Sequence, residues 1–222
     1  PKTPAEIPAW AWCGTSMIII HDLENSRSQR IVWMLEELAL PFEVKRYKRD
    51  PKTMLAPAEL RAIHPLGKAP IVTDGDRVLA ESGFICDYFA QKTGKLKPTD
   101  NYWIHYAEGS LMPPLLLTLV FSKVATDAPL FIRPLAKAIS QQVHKAFIGP
   151  QTKLHLNYVE SYLSQHEWFS GDFSMADIMM SFPLEAAMTR VKGDRPHIAA
   201  FLKKIQARPA YQSTLKKISK SK

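Results

Sequence analysis

The first strongly patterned stretch is Met17-Ile18-Ile19-Ile20-His21, an apolar, β-branched run of the length expected for a buried strand. Beyond a polar segment, Ile31, Val32, Leu35 and Leu38 recur at helical spacing through Leu40, and Pro41 stops the helix. Ser26 or Ser28 stands at its N-terminal end. Phe42 to Tyr47 alternates as a second strand, and so short a strand, helix, strand unit implies a parallel pair. Residues 50–63 carry two prolines and predict a loop with a turn or two of helix. Ile71-Val72-Thr73 and Val78-Leu79 flank the turn Asp74-Gly75-Asp76, and Glu81-Ser82 opens a helix reaching about Lys92. The order predicts an α/β domain over residues 17–92, a mixed four-stranded sheet with helices on both faces.

Residues 93–101 are polar, with one glycine and one proline, and read as a linker; beyond them no strand candidate has turn signals on both sides. Residues 102–222 therefore predict an all-helical domain. Thr99-Asp100 caps a long segment, Tyr102 to Val124, bent at Pro113-Pro114, and Arg133 to Phe147 and Thr152 to Gln165 form a pair broken at Gly149-Pro150. Ser174 with Asp177 makes a capping-box pattern, Phe173 with Ile178 a hydrophobic staple. His197 to Ala207 and Pro209 to Ile218 complete the domain. Residues 1–16 hold three prolines and two tryptophans without periodicity; they are expected to be an extension outside the fold, with Met17 the natural start.

At 222 residues and 46% hydrophobic content the chain suits one large or two small domains. No run of 18 apolar residues occurs, which argues against a membrane span. Two cysteines, Cys13 and Cys86, with no C-x-x-C spacing, argue against a disulfide framework and for a reducing, cytoplasmic setting. The net charge of +8 is largely a C-terminal tail: seven basic and no acidic residues follow from Lys203, a solvated terminus rather than a nucleic-acid site. No two histidines are three or four apart, and no H-E-x-x-H, G-x-G-x-x-G or Walker pattern occurs, so neither metal nor nucleotide is indicated.

The chemistry concentrates between His64 and Ser82. Pro70 removes a ladder donor, so it belongs at a strand end or in a cis bond that exposes the preceding backbone groups. An open edge beside Ala69 can pair with a peptide backbone, while Ser82, at a helix start rich in free N–H groups, receives a carboxylate. This is the outline of a peptide-carboxylate receptor.

His64-Pro65-Leu66-Gly67-Lys68-Ala69-Pro70 followed by Glu81-Ser82 resembles the NPxGxVP and ES pattern of the glutathione transferases, with histidine for asparagine and alanine for valine. The Ser174 capping box and staple resemble those of the family's helical domain, so the resemblance covers both halves. It implies a thioredoxin-like first domain, glutathione as co-substrate, and a homodimer in which the first domain of one subunit meets the second of the other. Asn25-Ser26-Arg27-Ser28-Gln29-Arg30 resembles the S-x-P-C-R segment of serine-type, theta-like members. That implies Ser26 as the residue touching the thiol, with Ser28 the fallback because the motif departs at Arg27 and Ser28. Read alone, either serine is a helix cap. Cysteine-type members carry cysteine there, and none is present.

A free thiol with pKa of about 8.5 is only a few per cent ionised at neutral pH, so a hydroxyl at the positive end of a helix has a clear task. Lys68 is expected to meet the glycyl carboxylate; Ala69 and Pro70 the cysteinyl backbone; Ser82 and Glu81 the γ-glutamyl carboxylate and ammonium. The segment YWIHYAEGSLMPP resembles a microbial subgroup and offers Tyr102, Tyr106, Ser110 and Met112 to a small hydrophobic electrophile between the domains. The resemblance implies thiolate attack on electrophilic carbon, a detoxification chemistry, with hydroperoxide reduction as a side activity. The competing reading is a ligand-binding or scaffold protein of the same fold that catalyses little.

Overall fold

A computed structural model describes residues 17–95, 97 and 99–219; the extension expected over residues 1–16 lies outside the described residues. Strand β1, Ile18–Leu23, is buried along almost its whole length, as a central strand covered on both faces must be. It pairs in parallel with β2, Phe42–Tyr47, and antiparallel with β3, Ile71–Asp74, which pairs antiparallel with β4, Arg77–Ala80. The spatial order is β2-β1-β3-β4, the mixed thioredoxin-like sheet that the pattern predicts.

Helix α1, Ser28–Glu37, buries Ile31, Val32, Met34 and Leu35. It ends before Leu40 because Ala39 turns left-handed at φ 54 and the Leu40 N–H returns to the Leu35 carbonyl at 3.1 Å, a six-residue C-terminal cap. Helix α2, Ala58–Ile63, is the short helix expected in the loop, and α3, Ser82–Lys92, follows β4 directly. Gly67, at φ 54, makes the turn that leads to the cis Ala69–Pro70 bond; a Cβ there would lie 2.8 Å from Arg61 Cγ.

The chain divides into two units, one running to residue 96 and resuming at Pro209, the other Lys97–Arg208. Helix α10, Pro209–Ser219, expected in the second domain, thus groups with the first. The Tyr211 ring meets Trp33 edge-on at 5.1 Å, and its hydroxyl accepts from Gln29 Nε2 at 3.1 Å. Arg46 also reaches the Ile218 carbonyl, and Lys217 pairs with Glu36.

The second unit is helical apart from its connecting loops and an isolated bridge between Ser170 and Asp172. Helices α4, Asp100–Tyr106, and α5, Met112–Asp127, are joined by a π turn at Ala107–Leu111. Helices α6, Arg133–Val143, and α7, Gly149–Leu163, are joined by another at His144–Ile148, so Gly149-Pro150 does not break the helix as expected. Each π turn lies just before a proline. A wider turn accommodates a residue that lacks the N–H for the regular ladder and whose ring crowds the preceding turn. The joined helix Asp100–Asp127 is long and apolar enough to cross a membrane by length and composition alone, a possibility that counting uninterrupted apolar runs excluded.

Helix α8, Met175–Arg190, starts on the predicted capping box: Ser174 Oγ accepts from the Ala176 N–H at 3.2 Å, and Asp177 Oδ2 accepts from the Ser174 N–H at 2.8 Å. The other Asp177 oxygen accepts from the Phe169 N–H at 3.0 Å. Helix α9, Pro196–Gln206, completes the unit.

Candidate active site

The register of the sheet brings the sequence-predicted residues of the first unit to one end. His21 pairs with Ile71, and Ile71 with Ala80. One step further along, Pro70 therefore stands between Asp22 of β1 and Glu81 after β4. Chain leaving β1 enters α1 through Ser26, and chain leaving β4 enters α3 at Ser82. Two helix starts and an unladdered strand end thus share one edge, because strands β1 and β4 both point there and β3 begins there.

Ser28 is the first residue of α1 and fully buried; Ser26, two residues earlier, is half-buried. Their hydroxyls lie 2.8 Å apart, and the Ser28 N–H donates to Ser26 Oγ at 3.2 Å. Neither acts as a side-chain N-cap, a position occupied by Arg27. Asp22 is buried next to them, its Oδ2 3.4 Å from Arg46 Nε. Desolvation raises the Asp22 pKa, opposed first by the Arg46 charge and then by hydrogen bonds from Ser28 and Ser26. Asp22 was missed by motif reading, although a charged residue inside the continuously buried run Ile18–Leu23 was a visible signal.

Ser82 is buried and accepts from Arg30 Nη2 at 3.1 Å, which ties the start of α3 to the first turn of α1. Arg30 is itself buried, and its role in holding Ser82 emerges only from the fold. Glu81 is exposed and holds φ 71 and ψ 120, a region rare for any residue with a Cβ. Ala69 is half-buried beyond the last paired position of β3, Pro70 is buried, and Lys68 is exposed.

Of the four residues offered for a second substrate, Tyr102 is exposed and Ser110 half-buried, whereas Tyr106 and Met112 are buried within the helical unit. Tyr106 shares a 2.8 Å hydrogen bond with His155 Nδ1, and Tyr102 one of 3.2 Å with the Tyr158 hydroxyl. Burial pushes the Tyr158 hydroxyl up to about 12, with the Tyr102 hydrogen bond adding to the rise. Trp103 packs on Tyr158 at 5.8 Å and Phe169 at 4.7 Å, so the cluster is an aromatic core with two surface members. Among the described residues no group of three or more histidine, cysteine or acidic side chains could hold a metal.

A mixed sheet whose open strand end carries a cis proline between two hydroxyl-bearing helix starts defines a thioredoxin-like binding domain, here followed in sequence by a helical unit. Residues 26–92 match the model of the glutathione S-transferase N-terminal domain. The chain is 35% identical to glutathione S-transferase 1 of Saccharomyces cerevisiae, over 90% of this chain and 95% of that protein. It is 34% identical to glutathione S-transferase 3 of Schizosaccharomyces pombe, over 91% and 88% respectively. A crystal structure of a glutathione S-transferase from Actinobacillus pleuropneumoniae superposes with a TM-score of 0.70 at 32% identity, covering 90% of this chain and 92% of that one. The chain belongs to the glutathione S-transferase family.

Proposed function

We propose that this protein binds glutathione at the shared end of β1, β3 and β4 and conjugates its thiolate to small, apolar electrophiles, as a serine-type, theta-like member of the microbial and fungal branch. The Arg30–Ser82 hydrogen bond carries this reading, because it fixes the proposed γ-glutamyl carboxylate receptor against the helix that the proposed thiol activator, Ser26, immediately precedes. Ser82 and the α3 N–H groups take the carboxylate, and Glu81 takes the ammonium. Ala69 pairs with the cysteinyl backbone beside Pro70, and Lys68 meets the glycyl carboxylate.

Ser26 is the proposed thiol partner. Its oxygen already accepts the Ser28 N–H, and acceptance of the Ser28 hydrogen as well leaves its own hydrogen for sulfur. A hydroxyl that accepts in this way is a stronger donor. Asp22 competes for the same hydrogens and so positions the pair. On the helical unit, Tyr102 and Ser110 contact the electrophile, backed by Tyr106 and Met112. Hydroperoxide reduction is the proposed side activity. Cytosolic residence fits a chemistry that draws on reduced glutathione.

Ultraviolet titration of bound glutathione tests the assignment. Wild type is expected to show a thiolate band at neutral pH, while Ser26→Ala raises the thiol pKa by about two and lowers turnover of an aryl halide on the order of 100-fold. An unchanged band in Ser26→Ala with loss in Ser28→Ala transfers the role to Ser28. Binding without any thiolate band refutes the catalytic reading in favour of a scaffold.

A further inference from the structure

The helical unit contains a cavity of about 630 Å³ at the loop between α8 and α9, walled on the other side by the start of α7. Its volume is that of a small-molecule site. Its lining is cationic: Lys153, Arg190, Lys192 and Arg195 face a single carboxylate, Asp194, which is exposed. No ion pair joins Asp194 to these cations among the described residues.

The two arginines hold donors in reserve. Arg195 is more than nine-tenths buried, yet its Nε has no hydrogen-bond partner. Its Nη1 reaches only the loop carbonyls of Lys192 and Gly193, at 3.4 and 3.3 Å. Arg190 Nη1 is likewise buried without a partner. A guanidinium withdrawn from water with unused N–H groups is costly unless an acceptor completes it. Gly193, at φ 129, makes the close approach possible: a Cβ there would stand 3.2 Å from Arg195 Nη1.

From this set we infer that the cavity is a binding site for a small molecule bearing a di- or triphosphate group, held by Arg190 and Arg195 with Lys153 and Lys192 at the mouth. Phosphate oxygens match the planar fork of a guanidinium, and four cations suit a multiply charged anion better than a single carboxylate. The site lies wholly in the helical unit and shares no residue with the proposed glutathione site.

Calorimetric titration of the full chain with inorganic pyrophosphate at fixed ionic strength tests it. Wild type is expected to bind, and Arg190→Gln and Arg195→Gln each to weaken binding about tenfold or more. Arg190 is only half-buried, so its variant keeps the test alive if Arg195→Gln does not fold; thermal unfolding without anion checks both. Lys123→Gln, which removes an equal charge from exposed α5, should bind like wild type, and aryl halide conjugation should be unchanged in Arg190→Gln. No heat with wild type, or equal weakening by Lys123→Gln, overturns the inference.

Discussion

Of the four non-glycine residues with positive φ among the described residues, Ala39 and Glu81 hold it for different reasons, and substitution separates them. Ala39, at φ 54, is where α1 reverses to reach Pro41; Glu81, at φ 71, holds the turn from β4 into α3. Glycine relieves both, against its larger loss of freedom on folding, for a net gain of about 0.5–1 kcal/mol each. We expect Ala39→Gly to raise the urea midpoint and leave catalysis alone. Glu81→Gly should also raise stability but increase the KM for glutathione about tenfold, because it removes the proposed partner of the ammonium. A Glu81→Gly enzyme with unchanged KM would reduce Glu81 to a turn residue. Glu81 and Ser82 were legible in sequence because a helix start and a strand end announce themselves locally. Asp22 and Arg30 were less so, since their partners, Arg46 and Ser82, are 24 and 52 positions away.

Among the elements, the start of α8 is the most strongly written and the most sensitive to pH. Its Asp177 carboxyl satisfies the Phe169 and Ser174 N–H groups from a buried position. Burial holds its pKa at about 6 against an ordinary 3.8; the two backbone hydrogen bonds oppose the rise and Asp100 adds to it. Between these values the unfolded chain has released the proton while the folded chain keeps it, so stability falls as pH rises through the window and is level above it. Asp177→Asn removes this dependence. Its deficit relative to wild type, from the lost cap, should therefore narrow by up to about 3 kcal/mol between pH 4 and pH 7 in urea denaturation. Parallel curves would show that Asp177 does not titrate there. The capping box was readable because four residues contain it. The π turns were not: Gly149-Pro150 has the same local signature whether a helix breaks or widens, and packing on the rest of the unit decides. The grouping of α10 with the first unit rests on Trp33 and Gln29, far upstream, which no helical period can reveal.

For the whole molecule, the open question is what covers α5. Leu116, Val120 and Val124 recur every four residues and each is more than two-fifths exposed, and Leu135 and Ile139 continue the apolar surface on α6. An exposed apolar stripe of this kind is what an association surface requires. A helix long and apolar enough to cross a membrane that yet carries Lys123 and Asp127 towards its C-terminal end fits a protein partner better than lipid. We propose that the partner is a second copy of this chain, consistent with the homodimer that the family resemblance implies. Sedimentation equilibrium should give twice the 25.1 kDa chain mass for wild type and the single mass for Val120→Arg, because an arginine buried without a counter-charge costs several kcal/mol on each side of a two-fold interface. Val120→Ala should remain dimeric, which separates charge burial from loss of packing. If Val120→Arg sediments as a dimer, α5 lies outside the interface. If wild type is already a monomer, the dimer proposal fails, while glutathione binding within one chain can still be measured.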